Sequence, residues 1–170
     1  MKKRRSICIA GLCHLVSGLV VLLGTWVSAG AQDLEALSKL LIPAYTAMSY
    51  AGLCSTEQHW AASQPRGPRG VAINYAEHEK DEVVGSLPEN DAVTVLKMAA
   101  DAARNDARAQ LRDKVIVSDK ATEALRFRQW CNGYVNGFIV DLIRRHDGDH
   151  LSFMHDIELA KSSHESRGAR

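Results

Sequence analysis

The sequence predicts an all-α protein: four or five helices packed as a bundle and stapled by one disulfide, behind an N-terminal signal peptide. Three observations point there. After residue 31, apolar residues recur at three- and four-residue steps in nearly every segment, with no strand pair or hairpin turn among them. The first 31 residues have the build of an export signal. Once that signal is removed, two cysteines remain, Cys54 and Cys131.

Lys2, Lys3, Arg4 and Arg5 make a basic start, Ile7 to Val27 is almost continuously apolar, and Ala29-Gly30-Ala31 supplies small residues at a cleavage site before Gln32. The apolar stretch is just long enough to serve as a retained membrane anchor. His14, Ser17, Gly18 and Gly24 interrupt it, however, and it ends in a small-x-small site rather than a basic stop. Arg4-Arg5-Ser6-Ile7 lacks the Ser or Thr that precedes the pair in a twin-arginine signal, and Leu12 before Cys13 is wrong for a lipoprotein. Ordinary secretion with a cut after Ala31 is expected, which makes the protein periplasmic or secreted. The expected organisation is a signal peptide over 1–31, a helical domain over 32–162 and a flexible tail over 163–170.

Cleavage leaves 139 residues, enough for one domain with its own core. The signal holds four of the 21 Lys and Arg and none of the 20 Asp and Glu, so the mature chain has 17 basic against 20 acidic residues and a net charge of −3. That balance gives no nucleic-acid footprint, and no basic block remains to hold a membrane surface. Export also sets the redox context, because disulfides persist in oxidising compartments. With 76 residues between them, Cys54 and Cys131 as a pair would tie an early helix to a late one, stabilising by up to ~4 kcal/mol in the chain-entropy model. The alternative is two buried thiols. No Cys-x-x-Cys marks a redox site.

The first helix is read from Leu34, Leu37, Leu41, Tyr45, Met48 and Leu53, with Asp33 as N-cap and an end near Gln58; at Pro43 it either bends or gives way to a second helix. Ser63 to Gly70, with two prolines and two glycines, is a loop. A helix over about Val71–Ser86 turns Ile73, Ala76, Val83, Val84 and Leu87 inward and Glu77, Glu79, Lys80, Asp81 and Glu82 to water. Pro88 and the acids after it start a third helix, running to about Lys114 and buried along Val95, Leu96, Ala99, Ala103, Ala107 and Leu111. Val115–Val117 is too short for a strand. Ser118 opens the longest helix, whose apolar arc holds Leu125, Phe127, Trp130, Cys131, Tyr134, Val135, Phe138, Leu142 and Ile143. Gly148 is a candidate break, and helical patterning continues through Leu151, Phe153, Met154, Ile157 and Leu159 to about Lys161.

Candidate chemistry is sparse. His146 and His150 are four apart and share a side of any intact helix, and His155 follows. Three imidazoles with carboxylates nearby suit Zn or Ni, or a proton-sensing role; the bland alternative is a solvated helix end. Glu77-His78-Glu79 reads as a solvated face, since its acids fall on the wet side by periodicity. Arg66 and Arg69, near a helix start, are a candidate anion site. No nucleotide loop, Gly-x-Ser-x-Gly or Ser-x-x-Lys appears in the mature chain, so no enzyme is expected and no cofactor beyond that metal.

Cys131-Asn132-Gly133-Tyr134-Val135-Asn136-Gly137 places two glycines four apart on one helix. Such glycines cost roughly 1–2 kcal/mol together relative to alanine. Close packing of another helix over Gly133 and Gly137, flanked by Trp130 and Tyr134, offsets that; a partner interface is the other reading. This Cys-x-Gly-Tyr-x-x-Gly pattern, with an earlier cysteine at a helix end and an export signal, resembles the Rap/Tai immunity proteins of bacterial type VI secretion and, more loosely, periplasmic chaperones of the HdeA type. The resemblance covers about ten residues around Cys131 and the Cys54 partner; the segment between them is long for the immunity family. It implies a helical, disulfide-bonded periplasmic protein that neutralises a cell-wall-targeting amidase, without catalytic residues. The expected function is binding or structural, with another periplasmic protein as partner.

Overall fold

A computed structural model describes residues 29–57, 60 and 67–168; of the expected signal peptide only residues 29–31 fall among them. The described chain is all-α. α1 spans Ala29–Leu53 and tightens into a 3₁₀ turn at Cys54–Thr56. α2 spans Pro68–Val84, α3 Glu89–Lys114 and α4 Lys120–Gln129. A π-helical turn, Trp130–Val135, carries α4 into α5, Asn136–Gly168.

α1 is the hub: α2, α3 and α5 each pack along it, and α2 also meets α5. Its apolar stripe serves two clusters. Leu34, Leu37 and Leu41 pack with Val83 of α2, Val95 and Ala99 of α3 and Ile157 of α5. One end further on, Tyr50, Ala51 and Cys54 pack with Trp60, Ala107, Trp130, Cys131, Val135 and Ile139. Between them Pro43 sits inside a single helix, so no second helix starts there. Having no N–H, it leaves the carbonyl one turn back without its helical donor. Alanines at 99, 103 and 107 line the buried side of α3, where α1 packs.

The disulfide joins the end of α1 to the π-turn: Cys54 is bonded to Cys131, with Cα atoms 5.7 Å apart. Both are fully buried. Trp60, buried beside them, donates its indole N–H to Asn132 Oδ1 at 3.2 Å.

Several boundaries differ from the sequence reading. Pro68–Gly70, expected in the loop, is helical, because Pro68 takes the first helical position behind Gly67, where its missing N–H costs nothing. α4, the start of the helix expected to open at Ser118, is capped by Asp119, which accepts from Thr122 N–H at 2.8 Å. Gly148 does not break α5, which extends to Gly168. Residues 163–168, expected in the tail, are therefore helical, and three contacts fasten that end. Lys161 Nζ donates to the Glu82 carbonyl (3.1 Å), His164 Nε2 lies 3.0 Å from Asp91 Oδ2, and Arg167 Nη1 lies 3.2 Å from Asp33 Oδ2.

The glycine expectation is also corrected. Gly133 and Gly137 are exposed, and a Cβ on either would meet no described atom within 4 Å, so none of the described helices packs over them. A π-turn holds an extra residue, and here it brings Trp130 and Cys131 inward side by side while the glycines face out. Trp130 packs edge-on against Tyr50 of α1 at 5.3 Å; Tyr134, expected inward, is 47% exposed, and Leu125 of α4 is exposed as well.

Candidate functional site

Titratable groups converge where α2 crosses α5. On α2, Ala72, Ala76, Glu79 and Val83 form one buried stripe, so Glu79 is driven into the interior by the register of its apolar neighbours. Its exposure is 1%, which overturns its assignment to the wet face. The neighbouring face carries His78 and Glu82, four apart, with His78 Nε2 3.4 Å from Glu82 Oε1. From α5, His146 Nδ1 lies 2.8 Å from Glu79 Oε1, and His150 Nε2 lies 3.7 Å from Glu82 Oε1. The His146 ring is 4.9 Å from that of His150 and stands edge-on to Tyr75 at 5.4 Å and Phe153 at 5.6 Å.

Burial and repulsion from Glu82 push the Glu79 carboxyl up to about 7, and a hydrogen bond with the Tyr75 hydroxyl draws it partly back. Burial holds the His146 imidazole below its ordinary value, assisted by the neighbouring His150. Both shifts follow from desolvation, which disfavours whichever form is charged. The Tyr75 phenol is raised by the same burial and by the Glu79 charge.

The three expected histidines therefore separate. His146 and His150 meet. His155 is exposed and outside the cluster: nine residues beyond His146 is two and a half helical turns, which places it on the opposite face of α5. In its place α2 supplies His78 and Glu82. One donor atom each from His78, Glu82 and His146 lies within 4.8 Å of the others, a grouping able to hold a metal ion. The sequence reading missed this α2 contribution. Its signal was an acid, Glu79, falling at a 4-3-4 spacing within an apolar stripe.

Beside this cluster a groove of about 550 Å³ runs along α1 at Pro43, where the two apolar clusters meet. Leu40, Ile42, Phe138, Leu142 and Phe153 give it apolar walls, and Asp106, Arg145, His146 and Asp149 give it polar edges. Arg66 falls outside the described residues, and Arg69 lies in the first turn of α2.

A third surface lies on the outer side of the π-turn and the start of α5. Gly133, Gly137 and Val140 follow at four- and three-residue steps with Tyr134 beside them, and all four are exposed. Among the described residues no helix is long and apolar enough to cross a membrane. Compared with protein-family models, curated proteins and solved structures, the chain matches none.

Proposed function

We propose that this chain is an exported binding protein, cut after Ala31 and working in the periplasm as a disulfide-stapled bundle, and that its partner is another exported protein. The observation that carries the reading is the bare glycine face over the disulfide. Two helix glycines weaken a helix by roughly 1–2 kcal/mol relative to alanine, and no packing within the described chain offsets that cost at Gly133 and Gly137. A partner that approaches the backbone closely there would, with Tyr134 and Val140 as the flanking apolar contacts. Aromatic residues such as Tyr134 are enriched where interfaces carry most of their energy.

The partner class follows from the resemblance to Rap/Tai immunity proteins, so a cell-wall-targeting amidase is the effector proposed. What supports it is the joint occurrence of an export-type N-terminus, an all-α fold, and a disulfide from an early helix end to the cysteine of the Cys-x-Gly-Tyr-x-x-Gly segment. Binding is preferred to catalysis because Glu79 and His146, the acid–base pair in the wall of the groove, have side chains only 2% and 11% exposed, offering a substrate little surface.

The test is titration of the purified protein with a cell-wall amidase encoded beside it, paired with hydrolysis of isolated peptidoglycan. Stoichiometric binding and loss of hydrolysis are expected. Gly137→Leu should weaken binding at least tenfold without lowering the melting temperature, since the added side chain points into open space. Undiminished hydrolysis overturns the immunity reading; a Gly137→Leu variant that binds like the wild type overturns the face.

A further inference from the structure

We propose that His78, Glu82 and His146 form a binding site for a divalent transition metal of the zinc class, with His150 placed to supply a fourth ligand. The donor set decides the class. Two or three imidazoles and one carboxylate suit zinc and its neighbours, whereas magnesium and calcium favour oxygen ligands.

The spacing fits. Ligand atoms ~2.1 Å from a tetrahedral zinc lie about 3.4 Å from one another. His78 Nε2 to Glu82 Oε1 is 3.4 Å, and Glu82 Oε1 to His150 Nε2 is 3.7 Å. His146 donates from the facing helix within 4.8 Å of both His78 and Glu82, so closure around an ion needs only small side-chain rotations, which the exposed His78 can make.

The surroundings fit as well. Metal-bound histidines hand their second nitrogen to a carboxylate, which fixes the ring and raises its basicity. Glu79 Oε1 stands 2.8 Å from His146 Nδ1, near enough to take up that contact as the ring turns to meet an ion. Three interior atoms of the cluster, Glu79 Oε1, Glu82 Oε2 and His150 Nδ1, are buried without a hydrogen-bond partner among the described residues. Two carboxylates this close, Glu79 and Glu82, repel each other where water is scarce, and a dication offsets that repulsion. The site is built from α2 and α5, away from the Gly133–Val140 face, so it stands or falls independently of the proposed partner.

The experiment is calorimetric titration of chelator-treated protein with Zn²⁺ alone, together with the visible spectrum of the Co²⁺-loaded protein. One equivalent should bind in or below the micromolar range, with the intense visible bands of tetrahedral cobalt. His78→Ala, a change at an exposed position, should weaken binding at least tenfold while the metal-free melting temperature holds. Glu79→Gln, a positioning change, should weaken it ~10–100-fold. His155→Ala should bind like the wild type. Absence of saturable binding in the micromolar range overturns the proposal, as does a His78→Ala variant that binds unchanged or a His155→Ala variant that loses as much.

Discussion

Glu79 carries a carboxylate into the interior of a helix whose neighbouring acids face water, and its titration follows from that position. Its folded value of about 7 lies above the ordinary 4.5. The stability it contributes is therefore fully present below pH 4.5 and is lost as pH rises through 7, where the buried group must ionise. Glu79→Gln removes that charge. The variant is expected to gain on the wild type by on the order of 1–3 kcal/mol at pH 8, with the gain vanishing toward pH 4.5, as read from melting curves across pH. A constant difference contradicts the burial argument. His146 works in the opposite sense: its lowered value makes it cost stability as pH falls through its ordinary range near 6.5. Tyr50 is a second such residue. Its hydroxyl donates to Asp106 Oδ2 at 3.0 Å while its ring meets Trp130 and Phe138 edge-on. Tyr50→Phe keeps the ring contacts and should cost ~1.5–3 kcal/mol in chemical denaturation, the value of a hydrogen bond to a charged acceptor.

At the scale of elements, what was legible in the sequence was whatever depends on periodicity. The stripes of α1 and α3 are buried much as spacing dictates, and Ala99, Ala103 and Ala107 face α1. The π-turn was not legible, because an extra residue in a helical turn is stabilised by what it packs on, here Cys54 and Tyr50, which lie far away in sequence. Once that turn is present, the face of every residue near it shifts, which is why Leu125, Tyr134 and the two glycines point outward. The metal cluster was half legible. His146 and His150 share a helix side by spacing alone, but their partners come from α2, and only the crossing of two helices brings His78 and Glu82 to them. Gly137→Ala tests the reading of this element: with open space at the Cβ, it should raise stability by ~0.5–1 kcal/mol through better helix propensity. A loss of stability would reveal a contact over Gly137.

For the whole molecule, α1 joins two apolar clusters, and each has its own fastening. The disulfide and the Trp60–Asn132 hydrogen bond hold one end. Lys161, His164 and Arg167 hold the other, by tying the end of α5 to Glu82, Asp91 and Asp33. The all-α class and the cysteine pair followed from pattern and count; the length of α5 did not, because these anchors are long-range contacts that a polar composition conceals. Truncation after Ser162 removes two of the three anchors and should lower the melting temperature. The account as a whole rests on an exported, disulfide-closed chain whose binding face is built on that closure. Mass analysis of the protein recovered from its host's periplasm without reductant tests this most directly. It should begin at Gln32, contain no free thiol and release the Cys54 and Cys131 peptides only on reduction. A chain that retains Met1 to Ala31, or that shows two free thiols, contradicts it.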